Sequence, residues 1–225
     1  MIRVVKLTLL NHLFYYTEVS GGSAGATLTG EFLGDLALNY AFAGAMRTRV
    51  GASDHRLQPD YPEIGSFGFY CTVARPLGRA RRTDTYIQNT LFTDGYPDVD
   101  SIRKSGSSPF KNFRQVQGLA IGNEFLAAIF SHDNLKLPPV VRMGRQRETL
   151  VRVEVLGKPP AGSDDNFWLN AFSLKTVFNN LEPVAKLMSE GSGIRLWNVI
   201  EPYFLIQNLT LRQVQGVFEK HFPTT

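Results

Sequence analysis

The chain has 225 residues, of which 43% are hydrophobic and 20% charged, which is typical of a soluble globular protein with a sizeable core and excludes a low-complexity chain. A single cysteine, Cys71, excludes a disulfide-stabilised secreted scaffold and makes the reducing cytoplasm the expected location. No apolar run approaches the ~20 residues of a membrane helix, and we expect no signal peptide.

The net charge of +4 comes from a very uneven distribution of basic residues. Three basic windows, residues 75–82, 103–114 and 136–152, carry a combined charge of +12, which leaves −8 for the rest of the chain. An acidic body with basic segments is typical of a protein that contacts a polyanion. Solvated loop charge that contacts no partner is the competing interpretation.

The first half of the chain predicts a strand, a helix and a second strand in that order. Residues 2–10 are rich in aliphatic and β-branched side chains and predict an opening strand. Residues 20–30 are rich in glycine and predict a flexible loop, with Thr29 as the N-cap of a helix over 31–46. The aromatic and β-branched run over residues 67–74 predicts the second strand.

The middle of the chain predicts further strands around a long polar insertion. Residues 86–92 predict a strand, and residues 94–108 form a turn-rich stretch that is too polar for a core. Long loops of this kind in compact domains are usually functional or disordered. Residues 125–131 are a short apolar run, and residues 149–156 alternate as a half-buried strand does.

The C-terminal region gives weaker signals. Residues 174–188 have helical character that Pro183 interrupts, and residues 195–209 predict a strand pair or one bent strand. Strands and few helices in the order β–α–β–β, with no internal repeat and no strong domain boundary, predict a single α+β domain with a ferredoxin-like half.

The sequence lacks the common motifs of nucleotide-binding and hydrolytic enzymes. It has no P-loop, no dinucleotide fingerprint and no nucleophile elbow, and its cysteine and four histidines have no zinc-ligand spacing. We therefore expect no cofactor and no metal. His132 with Lys136 or Tyr70 is a candidate acid–base pair for a metal-independent ribonuclease, although a lone surface histidine is more often a bystander.

Aromatic and basic residues alternate in the second basic window. Residues 107–114 read SSPFKNFR, which places Phe110 and Phe113 beside Lys111 and Arg114. Single-stranded RNA is held by bases stacked on aromatic faces and by cations on its phosphates. The alternative is that the two phenylalanines anchor a loop in a small core.

A glycine lies at the centre of the third basic window. Residues 138–147 read PPVVRMGRQR, in which Arg142, Arg145 and Arg147 flank Gly144. Glycine permits close backbone approach or a positive φ, and the planar fork of arginine suits phosphate. This pattern predicts a phosphate cradle, with an ordinary charged hairpin as the alternative.

Three sequence blocks follow one another along the chain: LTLLNHLFYYTEVSGG with GDLALNYAFAG, FKNFRQVQGLAIGNEFLAAIFS, and LPPVVRMGRQRETLVRVEV. In this order they resemble the Cas-five-type (Csc-one) subunit of type I-D CRISPR effector complexes. The residues that match the family's helix motif are Gly34, Ala37, Leu38, Tyr40 and Ala41. The family's arginine–glycine–lysine turn becomes Arg142, Met143, Gly144 and Arg145, which keeps the charge.

The resemblance implies an RNA-recognition-like (ferredoxin-like) RAMP domain over residues 1–225, with an antiparallel sheet and an inserted thumb near residues 84–115. It implies a non-catalytic Cascade subunit that binds the 5′ handle of the CRISPR RNA, caps the backbone filament and helps place target double-stranded DNA near its adjacent motif. The implied partners are a Cas-seven-type backbone subunit and a Cas-ten-like large subunit. A related subtype uses this subunit to process repeat RNA, so an endoribonuclease is one alternative and a protein-only adaptor is another.

The resemblance and the basic windows together give a set of expected contact residues. Those expected to contact RNA are Arg75, Phe110, Lys111, Phe113, Arg114, Arg142, Arg145 and Arg147. Those expected to contact nucleic acid, with RNA and DNA both open, are Arg79, Arg81, Arg82, Arg103 and Lys104.

Overall fold

Strand β1 (Ile2–Leu9) lies at the centre of the main sheet in a computed structural model of the chain. The structure describes residues 1–14, 16–19, 27–46, 60–89, 92–93, 96–97, 113–132, 135–144, 148–160, 166–189, 195–200 and 203–222.

The main sheet has six strands, and each of its pairings is antiparallel. Its strands are β1 (Ile2–Leu9), β4 (Phe69–Cys71), β5 (Arg75–Pro76), β10 (Glu124–Ser131), β11 (Val140–Met143) and β12 (Thr149–Leu156). Their order is β11–β12–β1–β10–β4, and β5 also pairs with β10.

Three smaller sheets complete the β-structure of the described residues. One has the order β13–β15–β14, formed by Phe167–Asn170, Tyr203–Leu209 and Arg195–Ile200. The second has the order β2–β3–β9–β6, formed by Tyr16–Val19, Thr27–Thr29, Phe113–Gln117 and Tyr86–Asn89. Short strands β7 (Phe92–Thr93) and β8 (Tyr96–Pro97) pair with each other.

Helices cover the main sheet and pack on the C-terminal strands. The α-helices are α1 (Asp35–Met46), α2 (Ala171–Thr176), α3 (Glu182–Ser189) and α4 (Leu211–Phe218), and a 3-10 helix spans Tyr61–Ser66. Within the described ranges, none of these helices is long and apolar enough to cross a membrane.

Both faces of β1 are covered, which produces two hydrophobic cores. Val5 and Leu7 face α1 and pack with Phe42 and Val151. Val4, on the opposite face, packs in the core that the C-terminal strands and helices build. A strand covered on both faces is expected to be rich in Val, Ile and Leu, as β1 is.

The structure confirms the predicted class, a mixed α/β protein with an antiparallel main sheet. Strands β1, β10 and β12 match their predicted spans to within one residue, and the run over 195–209 forms a hairpin of two strands. Within the polar stretch 94–108 the structure describes only the short strand Tyr96–Pro97. The other residues of this stretch lie outside the described residues.

The prediction that Thr29 caps the first helix is wrong. Thr29 ends β3, and α1 begins at Asp35. The intervening Leu33 exchanges two backbone hydrogen bonds with Ala74, both 2.9 Å long. This pairing holds the chain extended at Leu33, so the helix cannot begin earlier.

The expectation that Pro183 interrupts a helix is also corrected. Two separate helices, α2 and α3, cover this region, and Pro183 is the second residue of α3. Proline is tolerated in the first turn because no intrahelical bond needs its missing N–H. Asn179, with a φ of 48°, lies in the turn between the helices.

A buried carboxyl group connects the start of α1 to three other elements of the fold. The side chain of Asp35 is fully buried and accepts hydrogen bonds from the hydroxyl of Tyr70 at 2.6 Å, the amide of Asn170 at 3.1 Å and the hydroxyl of Ser173. These partners belong to β4, β13 and α2. Burial disfavours the charged carboxylate and raises the pKa of Asp35, although the three hydrogen bonds act in the opposite direction.

We expect Asp35 to make the protein less stable as the pH rises. Its folded-state pKa lies above the unfolded value of about 3.9, so the folded state holds the proton more tightly between the two values. The free energy of unfolding of the wild type, minus that of Asp35→Asn, should therefore fall as the pH rises from about 4. Urea denaturation across this range measures the difference, and an increase with pH would contradict the assignment.

Candidate nucleic-acid interface

The sheet register brings the connections that carry the basic windows to one end of the main sheet. Thr8, near the end of β1, pairs with Glu124 at the start of β10 and with Arg152 near the start of β12. At the same end, β11 finishes opposite Thr149 and β5 finishes opposite Phe125. We call this the basic end, defined by the described residues 77–86, 113–123, 142–144 and 148–152.

The first basic window is held at this end by its backbone. The amide of Arg81 donates to Asn123 Oδ1 at 2.8 Å, and Asn123 Nδ2 donates to the carbonyl of Arg81 at 2.7 Å. The amide of Ala120 donates to the same carbonyl at 2.9 Å. Arg82 forms an isolated bridge with Leu119, which itself pairs with Leu13. The arginine-rich turn is therefore fixed to the entry of β10.

The side chains of this window line an open cavity of about 450 Å³. Arg79 and Arg81 are exposed, and Arg81 donates to the carbonyl of Ile121 at 3.1 Å. Arg82 is half-buried, donates to the carbonyl of Thr29 at 2.7 Å and lies 3.6 Å from the carboxylate of Glu31. Arg79 has no hydrogen-bond or ion-pair partner among the described residues. The cavity thus offers cationic donors to an anion.

Gly144, the glycine at the centre of the third window, adopts a positive φ, which is one of the two roles predicted for it. Its φ is +80°, and a Cβ there would lie 3.0 Å from Leu13 Cδ1 and 3.3 Å from the carbonyl oxygen of Phe14. Both the backbone conformation and the close packing require glycine. Arg142, two residues earlier, is exposed on edge strand β11. Arg145 and Arg147 lie outside the described residues.

A groove of about 600 Å³ separates β11 from α1. The side of α1 that lines it is built of small residues, among them Ala37, Ala41 and Gly44. Ala37 and Ala41 belong to the helix motif that carries the family resemblance. Gly34 of the same motif packs against the ring of Tyr203, because a Cβ there would lie 2.0 Å from the hydroxyl oxygen. These motif residues therefore have packing roles.

Burial removes Arg75 from the expected RNA-contact surface. Its residue is only 6% exposed, and its guanidinium donates to the carbonyl of Asn166 and, at 2.9 Å, to that of Pro76. Burial also lowers its pKa. The sequence grouped Arg75 with Arg79, Arg81 and Arg82 by spacing alone, but Arg75 is in β5 and its side chain ties that strand to the segment before β13.

The second basic window leads into a strand pair at the same end. The backbone of Phe113 pairs with Asn89, and that of Arg114 pairs with Gln88, in the antiparallel β6–β9 ribbon. Four predicted contact residues of this window lie outside the described residues: Arg103, Lys104, Phe110 and Lys111. The structure therefore places residues 86–89 and 113–117 beside the basic end, and the predicted thumb near residues 84–115 stays a prediction.

Tyr86 is a surface aromatic residue that the sequence analysis did not select. It is 47% exposed at the start of β6, and its ring packs edge-on against Phe14 with centroids 5.7 Å apart. Gly118 makes room for Phe14, because a Cβ there would lie 2.8 Å from Phe14 Cδ1. No local sequence signal separates Tyr86 from a core strand residue, since its exposure depends on tertiary packing.

The predicted acid–base group lies at the other end of the sheet. His132 follows the last residue of β10, and its amide donates to the carbonyl of Gly68. Its ring packs against Phe222. The hydroxyl of Tyr70 is buried and donates to Asp35, so it is not available to His132. Among the described residues, no group of three histidine, cysteine or acidic side chains is arranged to hold a metal ion.

These observations define a mixed α/β protein with a basic surface at one end of an antiparallel sheet. The model of the family described as type I-D CRISPR-associated protein Cas5/Csc1 matches residues 1–217. The chain belongs to this family, which confirms the resemblance seen in the sequence blocks. Membership indicates a subunit of a CRISPR effector complex.

Solved structures with low sequence identity were also found. A chain of a type IV-B CRISPR complex has a TM-score of 0.37 and 8% identity, covering 72% of this chain and 93% of that chain. A chain of the type III-B Cmr-beta complex bound to cognate target RNA and AMPPnP has a TM-score of 0.45 and 9% identity, covering 92% and 84%. A second Cmr-beta structure, bound to cognate target RNA, gives 0.44 and 10%, covering 97% and 94%. No curated protein sequence matches the chain.

Replacement of Asn123 should loosen the first basic window. In Asn123→Ala the amide of Arg81 loses its acceptor, and two carbonyls lose a donor, at a cost of about 1–3 kcal/mol. We expect faster hydrogen exchange in peptides that cover residues 79–84, measured by mass spectrometry, and a lower Tm. Exchange that is unchanged in these peptides would show that Asn123 does not hold the turn.

Proposed function

We propose that the chain is a non-catalytic RNA-binding subunit of a type I-D Cascade complex, and that its basic end binds the 5′ handle of the CRISPR RNA. The observation that carries the proposal is that the described parts of the first and third basic windows, and the strand into which the second window leads, lie at one end of the sheet. Exposed arginines without acidic partners bind phosphate readily and position a strand without reading its sequence.

The dimensions of the basic end suit a single nucleic-acid strand. Arg142 lies on β11, and the window that follows β5 lies at the other side of the sheet, four strand spacings away. At about 4.8 Å per spacing this is roughly 19 Å. A few nucleotides of one strand can bridge this distance while each arginine meets a separate phosphate.

We interpret the main sheet as a derivative of the ferredoxin-like RAMP fold. The order β12–β1–β10–β4, with α1 between β1 and β4, is that of a ferredoxin-like sheet. Strand β11 occupies the connection in which the second helix of that pattern would lie. The β6–β9 ribbon is then the base of the thumb that the sequence predicts near residues 84–115.

The remaining assignments of the proposal follow from the family. In this proposal the subunit caps the backbone filament beside a Cas-seven-type subunit, contacts a Cas-ten-like large subunit and helps place target double-stranded DNA near its adjacent motif. Residues Arg103, Lys104, Phe110, Lys111, Phe113, Arg114, Arg145 and Arg147 stay predicted contacts. Both nucleic acids are in the cytoplasm, where the complex would act.

The position of His132 is the reason for proposing a non-catalytic role. It lies at the end of β10, whereas the basic end is at the start of that strand. A ribonuclease needs its base and the phosphate of its substrate in one place. Retained cleavage of repeat RNA by the purified chain in the presence of chelator would contradict this part of the proposal.

Neutralising exposed arginines at the basic end should lower both the affinity for RNA and its salt dependence. For a single strand the slope of log K against log salt changes by about 0.7 per phosphate contact. We expect Arg79→Gln and Arg142→Gln each to reduce the slope by roughly this amount. Fluorescence anisotropy with a handle RNA over several salt concentrations measures it.

The matched control for these variants is Lys158→Gln, an exposed cation beyond β12 at the opposite end of the sheet. It should leave the slope unchanged. Equal slopes for the wild type and all three variants would refute the proposed RNA surface.

Crosslinking separates RNA binding from a protein-only adaptor. The chain would be purified in its complex with CRISPR RNA, irradiated and digested. We expect crosslinked peptides from residues 77–86 and 140–152, and none from residues 153–160. A complex that assembles without RNA, or RNA crosslinks confined to other surfaces, would favour the adaptor.

A further inference from the structure

We infer that Tyr86 is a stacking platform for one base of the bound RNA strand. This inference rests on the proposed function, and it adds a residue that neither the charge pattern nor the family motifs select. Tyr86 lies in the described part of the basic end between the first and third windows, and nearly half of it is exposed.

The position of Tyr86 between the two windows follows from a chain of contacts. The residue is three positions after Thr83, whose amide donates to the carbonyl of Gly118 at 3.0 Å. Its ring contacts Phe14, and the backbone of Phe14 packs on Gly144 of the third window. Tyr86 is thus connected through these contacts to the backbone segments that carry the first and the third basic windows.

The ring is also held rigidly for a surface residue. Phe14 supports it edge-on at an interplanar angle of 80°, which is a favourable aromatic geometry. Phe14 itself is closely packed, because a Cβ on Gly118 would lie 2.8 Å from its ring and a Cβ on Gly144 would lie 3.3 Å from its carbonyl oxygen. A rigid aromatic side chain loses little conformational entropy when a base stacks on it.

Other exposed surfaces of the described structure give weaker evidence for a binding site than Tyr86 does. The groove between α1 and β11 is lined by small residues of α1 and by larger ones that include Tyr40, Arg142 and Met143, and nothing in the described structure indicates its occupant. The exposed Val155 and Leu181 have no charged arginine window beside them that is comparable to the one at residues 79–82. Tyr86 is an exposed aromatic ring at the end of the sheet that also carries the exposed Arg79 and Arg142, and aromatic faces and cations together bind single-stranded nucleic acid without sequence selection.

The test is a double-mutant cycle between the ring and individual bases. The full chain would be titrated into a fluorescein-labelled RNA that carries the repeat-derived 5′ handle, and into versions with one abasic nucleotide at each position. We expect Tyr86→Ala to weaken binding roughly 5- to 150-fold, with an unchanged salt slope. One abasic position should weaken wild-type binding by a similar factor and have little further effect in Tyr86→Ala.

Two controls separate stacking from damage to the fold. Tyr86→Phe keeps the ring and should bind within about twofold of the wild type. Val155→Ala removes an equally exposed apolar side chain near the opposite end of the sheet and should also bind normally. Circular dichroism and thermal melting of each variant establish that it is folded.

The possible failures are distinguishable. If the wild type binds handle RNA and Tyr86→Ala binds equally well, the stacking inference is overturned and the proposed function stands. If Tyr86→Ala instead loses binding to another subunit with RNA affinity unchanged, the ring is a protein contact and the inference is again overturned. If the wild type does not bind RNA, both proposals fail.

Discussion

The register of β1 against its two neighbours determines where the basic segments of this chain lie. Because β10 and β12 both run antiparallel to β1, their first residues meet the last residues of β1 at one end of the sheet. β11 and β5 each pair antiparallel with one of these strands, so both finish there as well. A shift of one residue in β1 would place Val5 and Leu7 on the wrong face and expose the core that α1 covers. The arrangement that buries β1 is therefore the same arrangement that groups the arginines.

The strands with a strong local signal could be predicted from the sequence, and the elements fixed by tertiary contacts could not. β12 alternates over its whole length, and β10 is an uninterrupted apolar run, so periodicity alone locates them. The start of α1 depends on the pairing of Leu33 with Ala74, two residues that are far apart in sequence. The 3-10 helix Tyr61–Ser66 falls in a stretch whose polar, proline-containing sequence is equally typical of a loop. Local propensity does not contain the contacts that decide these cases.

The residues of the candidate site also differ in whether the sequence alone could predict their exposure. Charge density draws attention to residues 79–82, where Arg79 and Arg81 are exposed and Arg82 is half-buried beside Glu31. It fails for Arg75, whose position in a strand beside β10 buries the guanidinium against backbone carbonyls. It also misses Tyr86, because an aromatic residue in a predicted strand is normally a core residue. Exposure is a property of the packed fold, and a functional surface that depends on it requires the structure.

The basic end combines a fixed framework with charges that are left available. Asn123 and Ala120 satisfy the backbone of Arg81, and the bridge to Leu119 holds Arg82, so the turn is ordered before any partner arrives. Elsewhere on the sheet, Lys6 is neutralised by Glu124 at 3.4 Å and Glu154 at 3.1 Å. Arg79 and Arg142, in contrast, have no acidic partner among the described residues. A pre-ordered backbone lowers the entropic cost of binding, and unpaired cations avoid the cost of breaking ion pairs. These two properties are the physical grounds on which the proposed RNA surface rests.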